Sequence, residues 1–375
     1  MTNFSILDPH LNQSVCSSAR TAADRFIRQA LSPFRSQLAR VAVEGLRAKA
    51  NKARLSGWNG AFPSWEPVDG VYPLPDKSLP IVGVDGSQIY PDPTQPVQWA
   101  YMQALAYNDG NDPLIQTDYI DLEGLAGGTV QRFDLPEDLL PYCRDLKALV
   151  DYLRALLELK TAVKADGLFP GHITLLDMPL AVWPPYSQNK LQRQRLHNQF
   201  YSLLNRLQGR PVAGVISSPT SSYLHQMISL SIQSPNVCNQ RSTFQDRFFL
   251  MEYLQPGERT AIFELSGGGN DAVPPRQAAL FFFYLKINDY ELVRVEIPAW
   301  AAKNEQMIAQ IQASIYQDSQ ALGYSQALSR AHHLVSITAK TAGEFKHLAS
   351  ALFFDSPNQV GLSAKMRMKL GWEES

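Results

Sequence analysis

The chain has 375 residues, 45% of them hydrophobic, enough to bury a large core in one elaborated domain or a domain with an appended lobe. No apolar run approaches the ~18 to 20 residues that cross a bilayer, and MTNFSILDPH has no basic stretch followed by an apolar one, so neither a membrane span nor a signal peptide is expected. The formal net charge of -1 gives no global support to a nucleic-acid partner, and three scattered cysteines (Cys16, Cys143, Cys238) without CxxC spacing argue for a reducing compartment, most simply the cytoplasm.

Residues 15 to 55 read as helix, rich in Ala, Leu, Arg and Gln and divided at Pro33, which removes a hydrogen bond and clashes with the preceding turn. This segment leans basic, and Lys190, Arg193 and Arg195 form a second basic cluster; each is either a solvated helix face or a phosphate-contacting surface. Residues 56 to 79 hold Pro63, Pro67, Pro73 and Pro75 and read as a proline-rich connector without a regular element. LPIVGVDGS (79–87) is an apolar run ending in a turn signal, as a buried strand would be. Val97 to Tyr107 and Leu114 to Asp121 are two further strands joined through NDGND (108–112). A long helical pattern over 137 to 165 precedes the strand HITLLD (172–177), a helix over Gln188 to Leu207 and the strand VAGVIS (212–217).

That order, β-β-β-α-β-α-β, predicts an α/β fold: a ribonuclease-H-like mixed sheet flanked by helices. After 240, ERTAIFEL (258–265), AALFFFYLKI (278–287) and YELVRVEIPAW (290–300) predict an antiparallel β extension, interrupted by the glycine turn GGGND (267–271). Two helices are expected over about 301 to 322 and 325 to 341, then a short polar tail with Lys365, Arg367 and Lys369.

Two acidic residues, Asp85 and Asp177, each end an apolar strand. At the end of a buried strand a carboxylate opens onto the edge cleft of the sheet, although Asp-Gly is also an ordinary turn. If the two strands are neighbours the carboxylates converge, and two such anions call for a proton or a bridging cation; oxygen ligands of this kind suit Mg²⁺ or Mn²⁺. In SQALSRAHHLVSI, the spacing of Leu328, His332 and Val335 turns His332 inward, as a core histidine or a ligand, and leaves His333 exposed. Glu158 stands off the leucine stripe among Ala155, Ala162 and Ala165, where a solvated glutamate is the natural reading. Asp246 precedes an apolar segment as a first-turn acid would, and Glu296 reads as a strand-end charge or a partner for Arg294 or Arg259. Phosphate-loop, HExxH and GxSxG signatures are absent.

VDGSQ (84–88), LELK (157–160), LLDMPL (175–180), VAGVISS (212–218), QDRFFL and LQPGERT (245–260), FFFYLK and LVRVEIPAW (281–300) and ALSRAHHL (327–334) together resemble, in order, the NurA nuclease family. The resemblance implies a DNA nuclease using Mn²⁺ or Mg²⁺, with two ions: a 5′→3′ exonuclease and single-strand endonuclease in end resection, dimeric and working with a hexameric HerA-type ATPase. It further implies that Asp85, Glu158, Asp177 and His332 are catalytic and bind metal, with Asp246 a further metal position. On this reading residues 1–74 are a helical segment and connector, 75–345 a NurA-like domain with a β insertion over about 241–300, and 346–375 a tail. Two positions depart from the family pattern: Met178–Pro179 follow the second aspartate where many members have Gly and a small polar residue, and Ser217–Ser218 stand where a lysine is common. A non-catalytic subunit docking on the ATPase, and a carboxylate-pair hydrolase without metal, are the competing readings.

Overall fold

The computed structural model describes residues 60–92, 98–121, 145–182, 190–232, 245–266 and 279–353. The expected helix over 15 to 55, the start of the helix expected from 137, the GGGND turn, the tail patch and all three cysteines lie outside them. In chain order the elements are β1 (Gly60–Pro63), β2 (Val71–Tyr72), β3 (Ile81–Ile89), β4 (Trp99–Asn108), β5 (Leu114–Asp121), α1 (Leu146–Leu168), β6 (Ile173–Leu176), α2 (Lys190–Asn205), β7 (Val212–Ser217), α3 (Tyr223–Ile232) and α4 (Asp246–Tyr253). There follow β8 (Arg259–Thr260), β9 (Phe263–Ser266), β10 (Leu280–Lys286), β11 (Leu292–Pro298), α5 (Ala299–Ala302), α6 (Glu305–Asp318), α7 (Gln326–Val335) and α8 (Ala339–Phe353).

The strands make one sheet in the order β1-β9-β10-β11-β7-β6-β3-β4-β5, with β2 and β8 paired beside it. Its half β5-β4-β3-β6-β7 is the ribonuclease-H-like arrangement expected from the sequence. β3, β4 and β5 form an antiparallel meander whose second turn needs Gly110 at φ 79°, a left-handed conformation that favours glycine. β3, β6 and β7 run parallel, linked through α1 and α2. The expected antiparallel extension adds β11, β10 and β9 to the far side of β7.

Apolar side chains cover both faces. Val82 and Val84 of β3 pack with Leu153 and Leu156 of α1, while Leu175, Val215, Val295 and Leu328 of α7 fill the opposite layer. Gly83, between the two valines, faces α7. A Cβ there would meet the backbone of Ala327 at 2.5 Å, so this glycine lets helix and strand touch.

Four expectations change. The proline-rich connector is not irregular: β1 pairs with β9 at the sheet edge and buries Phe62, with Pro63 at its last position, where an edge strand tolerates a missing N–H. β3 does not turn at Asp85–Gly86 but runs on to Ile89, because β4 stays paired with it through Tyr101. ERTAIFEL divides into β8 and β9 at Ala261–Ile262. The two C-terminal helices are four, since Asn304 caps α6 through Met307 N and α7 ends at Ser336 before α8, which runs on to Phe353.

Gly83→Ala puts a methyl group against backbone that cannot yield. A stability loss of about 1–3 kcal/mol is expected, read as a fall of roughly 1–4 °C in Tm; an unchanged melting curve would show that the α7–β3 approach is not this close.

Candidate metal centre

The site lies where strands of unequal length part company. β6 ends early: its last ladder pair joins Leu176 to Val84, and the Asp177 N–H then donates to Val84 O at 3.0 Å. Beyond Val84, β3 keeps β4 on one side, with Asp85 opposite Leu105, and among the described residues has no ladder partner on the β6 side. Asp85 is thus mid-strand toward β4 and a strand end toward β6. The opening sits at the C-terminal ends of parallel strands, where open α/β sheets place their ligands.

Residues from four elements meet there. Asp85, only 4% exposed, accepts from Gly86 N through Oδ1 at 2.7 Å, and its Oδ2 lies 2.7 Å from His332 Nδ1 of α7. Asp177 Oδ1 accepts from the Tyr324 hydroxyl at 2.6 Å. Asp85, Asp177 and His332 each offer a ligand atom, all within 4.8 Å of one another. Glu158 arrives from α1 on the other face and is 0% exposed. One of its oxygens is held by Arg154, one helical turn earlier; the other, Oε2, is buried with no hydrogen-bond partner among the described residues. Gly86 makes room for it, since a Cβ at this position would overlap Glu158 Oε1. On the next strand, a Cβ at Gly214 would overlap Met178 O, so that glycine lets the chain after Asp177 fold back.

Such crowding shifts protonation. Burial, with the charges of Asp85 and Asp177, pushes the Glu158 carboxyl up to about 8 against the pull of Arg154. Asp177 is raised by burial and by Asp85, with the Tyr324 hydrogen bond opposing. The Tyr324 hydroxyl is raised by burial, by the Asp177 charge and by its hydrogen bond to that carboxylate. A divalent cation would relieve all of this. Carboxylate oxygens with one imidazole suit Mn²⁺ or Mg²⁺, and the unpartnered Glu158 Oε2 is an acceptor in want of one. The donor set therefore fits the ion the sequence implied.

Of the five residues singled out as metal ligands, the structure gathers Asp85, Asp177 and His332 within 4.8 Å, with Glu158 beside them against Gly86 but outside that group. Asp246 is elsewhere: fully buried, it accepts from Leu224 N at 3.0 Å, His225 N at 2.9 Å and the Tyr284 hydroxyl at 2.7 Å, so it caps α3 with its oxygens already engaged. His332 is not turned into the core. Its side chain is 66% exposed, because the buried stripe of α7 runs through Leu328, Ala331 and Val335 and His332 flanks it. Glu158 is not solvated, since Ala155, Ala162 and Ala165 let that face of α1 lie close on the sheet. Glu296 does not end its strand: it is buried within β11, paired with Arg294 at 2.7 Å, and accepts from Ala181 N beyond Asp177 at 3.1 Å. Sequence reasoning missed Tyr324 and Arg154. Tyr324 falls in a loop with no periodicity to mark it; for Arg154 the signal was a basic residue four positions before Glu158.

A family model described as the NurA domain matches residues 79–337. Among solved structures the chain is similar to the NurA nuclease of Sulfolobus solfataricus, with 14% identity, 90% of this chain and 98% of that one covered, and a TM-score of 0.46. It is also similar to human ENDOV, with 8% identity, 78% and 96% covered, and a TM-score of 0.31. No curated protein matches it. Among the described residues no helix is long and apolar enough to cross a membrane.

The raised Glu158 carboxyl has a stability signature. Folded, it keeps a proton between the ordinary 4.5 and about 8 that the unfolded chain has lost, so it favours folding at low pH, and that contribution is lost as pH rises through this window. Cation-free protein should therefore melt at falling temperature from about pH 5 to about pH 9, and Glu158→Gln should flatten the decline. Parallel curves for the two proteins would place the titration elsewhere.

Proposed function

This chain belongs to the NurA family, and from that premise we propose that it is a metal-dependent nuclease hydrolysing phosphodiester bonds in DNA. The observation that carries the reading is the gathering of Asp85, Asp177 and His332 within 4.8 Å, beside the buried and unpartnered Glu158 Oε2. Family membership further supports 5′→3′ exonuclease and single-strand endonuclease action in end resection. It supports Mn²⁺ ahead of Mg²⁺, with two ions, a homodimer and a HerA-type ATPase as partner, and the three scattered cysteines support a cytoplasmic location.

Asp85, Glu158, Asp177 and His332 would hold the cations. Bound divalent ions supply a water activated near neutral pH and a counter-charge for the phosphoryl group. The chain's own groups do the rest. Asp85 fixes His332 by its Nδ1, which orients the imidazole and leaves its other nitrogen for one of two tasks, to help hold a cation or to carry a proton to the departing 3′ oxygen. Tyr324 holds the Asp177 carboxylate in one orientation through its hydroxyl. Glu158 is locked by burial and by its place on α1, so the acceptors are arranged before substrate arrives. A phosphodiester entering this opening meets the carboxylates of Asp85 and Asp177, so binding without a cation is opposed by repulsion.

The test is cleavage of labelled single-stranded and duplex DNA with Mn²⁺, with and without EDTA. Wild type should cut, EDTA should stop it, and Asp85→Asn should lower the rate by about 10³-fold or more while Tm stays within a few degrees. A non-catalytic subunit predicts no cutting at any protein concentration, and a metal-free carboxylate pair predicts cutting that survives EDTA; either result overturns the proposal.

A further inference from the structure

Arg154 is the component of this site without a ligand's role. It projects from α1 one turn before Glu158 and pairs with it, and its charge also acts on Asp85, Asp151 and Asp177. One guanidinium thus answers four carboxylates. The pairing adds little to the helix, because a basic residue N-terminal to its acidic partner is the weaker order for an i,i+4 pair. Nor is the pair closed: Arg154 Nε and Glu158 Oε2 are both buried without partners. The arginine stem runs over Gly86, where an added Cβ would lie 3.0 Å from its Cγ, and the side chain is 20% exposed while Glu158 is 0% exposed. One partner is fixed in the wall of the site, and the other is a long, flexible chain with a path to solvent.

We propose that Arg154 exchanges partners: in the metal-free protein it donates to Glu158 and supplies counter-charge to the neighbouring aspartates, and once a divalent ion is bound it turns to the phosphate backbone of the nucleic acid. The inference rests on the nuclease reading and adds to it a specific substrate contact. The physical cause is charge. A dication on the carboxylates removes the field that holds the guanidinium and repels it, while a phosphodiester brings an anion to the same opening. A planar guanidinium can meet two phosphate oxygens at once, which an ammonium cannot. Arg154 is then both competitor of the metal and receptor for the substrate, so binding of substrate to the metal-free site is disfavoured twice.

The test uses the full-length metal-free chain as wild type, Arg154→Gln and Arg154→Lys. Mn²⁺ is titrated calorimetrically, and a phosphorothioate single strand is followed by fluorescence anisotropy in saturating Mn²⁺. Arg154→Gln should bind Mn²⁺ about tenfold more tightly and the oligonucleotide about tenfold more weakly. Arg154→Lys keeps the charge, so it should bind Mn²⁺ like wild type and recover only part of the oligonucleotide affinity. A merely structural arginine would weaken both ligands together, and that result, or unchanged affinities in Arg154→Gln, overturns the exchange. If Arg154→Gln does not fold, Arg154→Lys decides: oligonucleotide affinity equal to wild type overturns it. Wild type that takes up no Mn²⁺ would instead sink the nuclease reading, and this inference with it.

Discussion

Like charges gathered out of water are the constraint on which the rest of this structure depends. Asp85, Glu158 and Asp177 come from a strand, a helix and the end of a second strand; Asp85 and Glu158 are buried and Asp177 half-buried, and the charges of Asp85 and Asp177 raise the cost of ionising Glu158, as Asp85 does for Asp177. Nothing in ordinary packing favours this arrangement. It persists because the backbone around it is over-determined: the β3–β4 ladder fixes Asp85, the last turn of the parallel β3–β6 ladder fixes Asp177, and the apolar contacts of α1 on both sides of Glu158 fix the third carboxylate. The free energy of the wider core holds an electrostatically unfavourable spot in place, as expected of a functional site.

Close approach is the means. Three positions without a side chain let neighbours in: Gly83 admits α7, Gly86 admits Glu158 and Arg154, and Gly214 admits the carbonyl of Met178. Each lies on a central strand, where glycine weakens a sheet and is otherwise unexpected. Glu296 adds a polar tie from the next strand, holding the Ala181 N–H just after Asp177. The extension β9–β11 therefore does more than widen the sheet, because one of its buried charges steadies the segment that follows the Asp177 carboxylate.

Strand periodicity made the ribonuclease-H-like half of the sheet legible in the sequence, since buried strands such as VAGVIS and ITLL are apolar throughout and their order admits few topologies. The convergence of Asp85 and Asp177 was legible too, as two acids ending apolar runs, although Asp85 proved to end only one of its two ladders. Glu158 could not be found by pattern: a buried carboxylate on a helix looks like a solvated one until the helix is laid on the sheet, and family resemblance supplied it. His332 was assigned a core position because i, i+4, i+7 spacing marks an arc, not its edges. Tyr324 and the two short edge strands β1 and β2 left no periodic trace, because their places are set by partners far along the chain.

The most direct measurement is anomalous diffraction at the manganese edge from crystals of the full chain grown with Mn²⁺. The account predicts a peak between the carboxylates of Asp85 and Asp177, within ligand reach of Glu158. A map with no peak there at saturating Mn²⁺, or with manganese bound only at other residues, would contradict it.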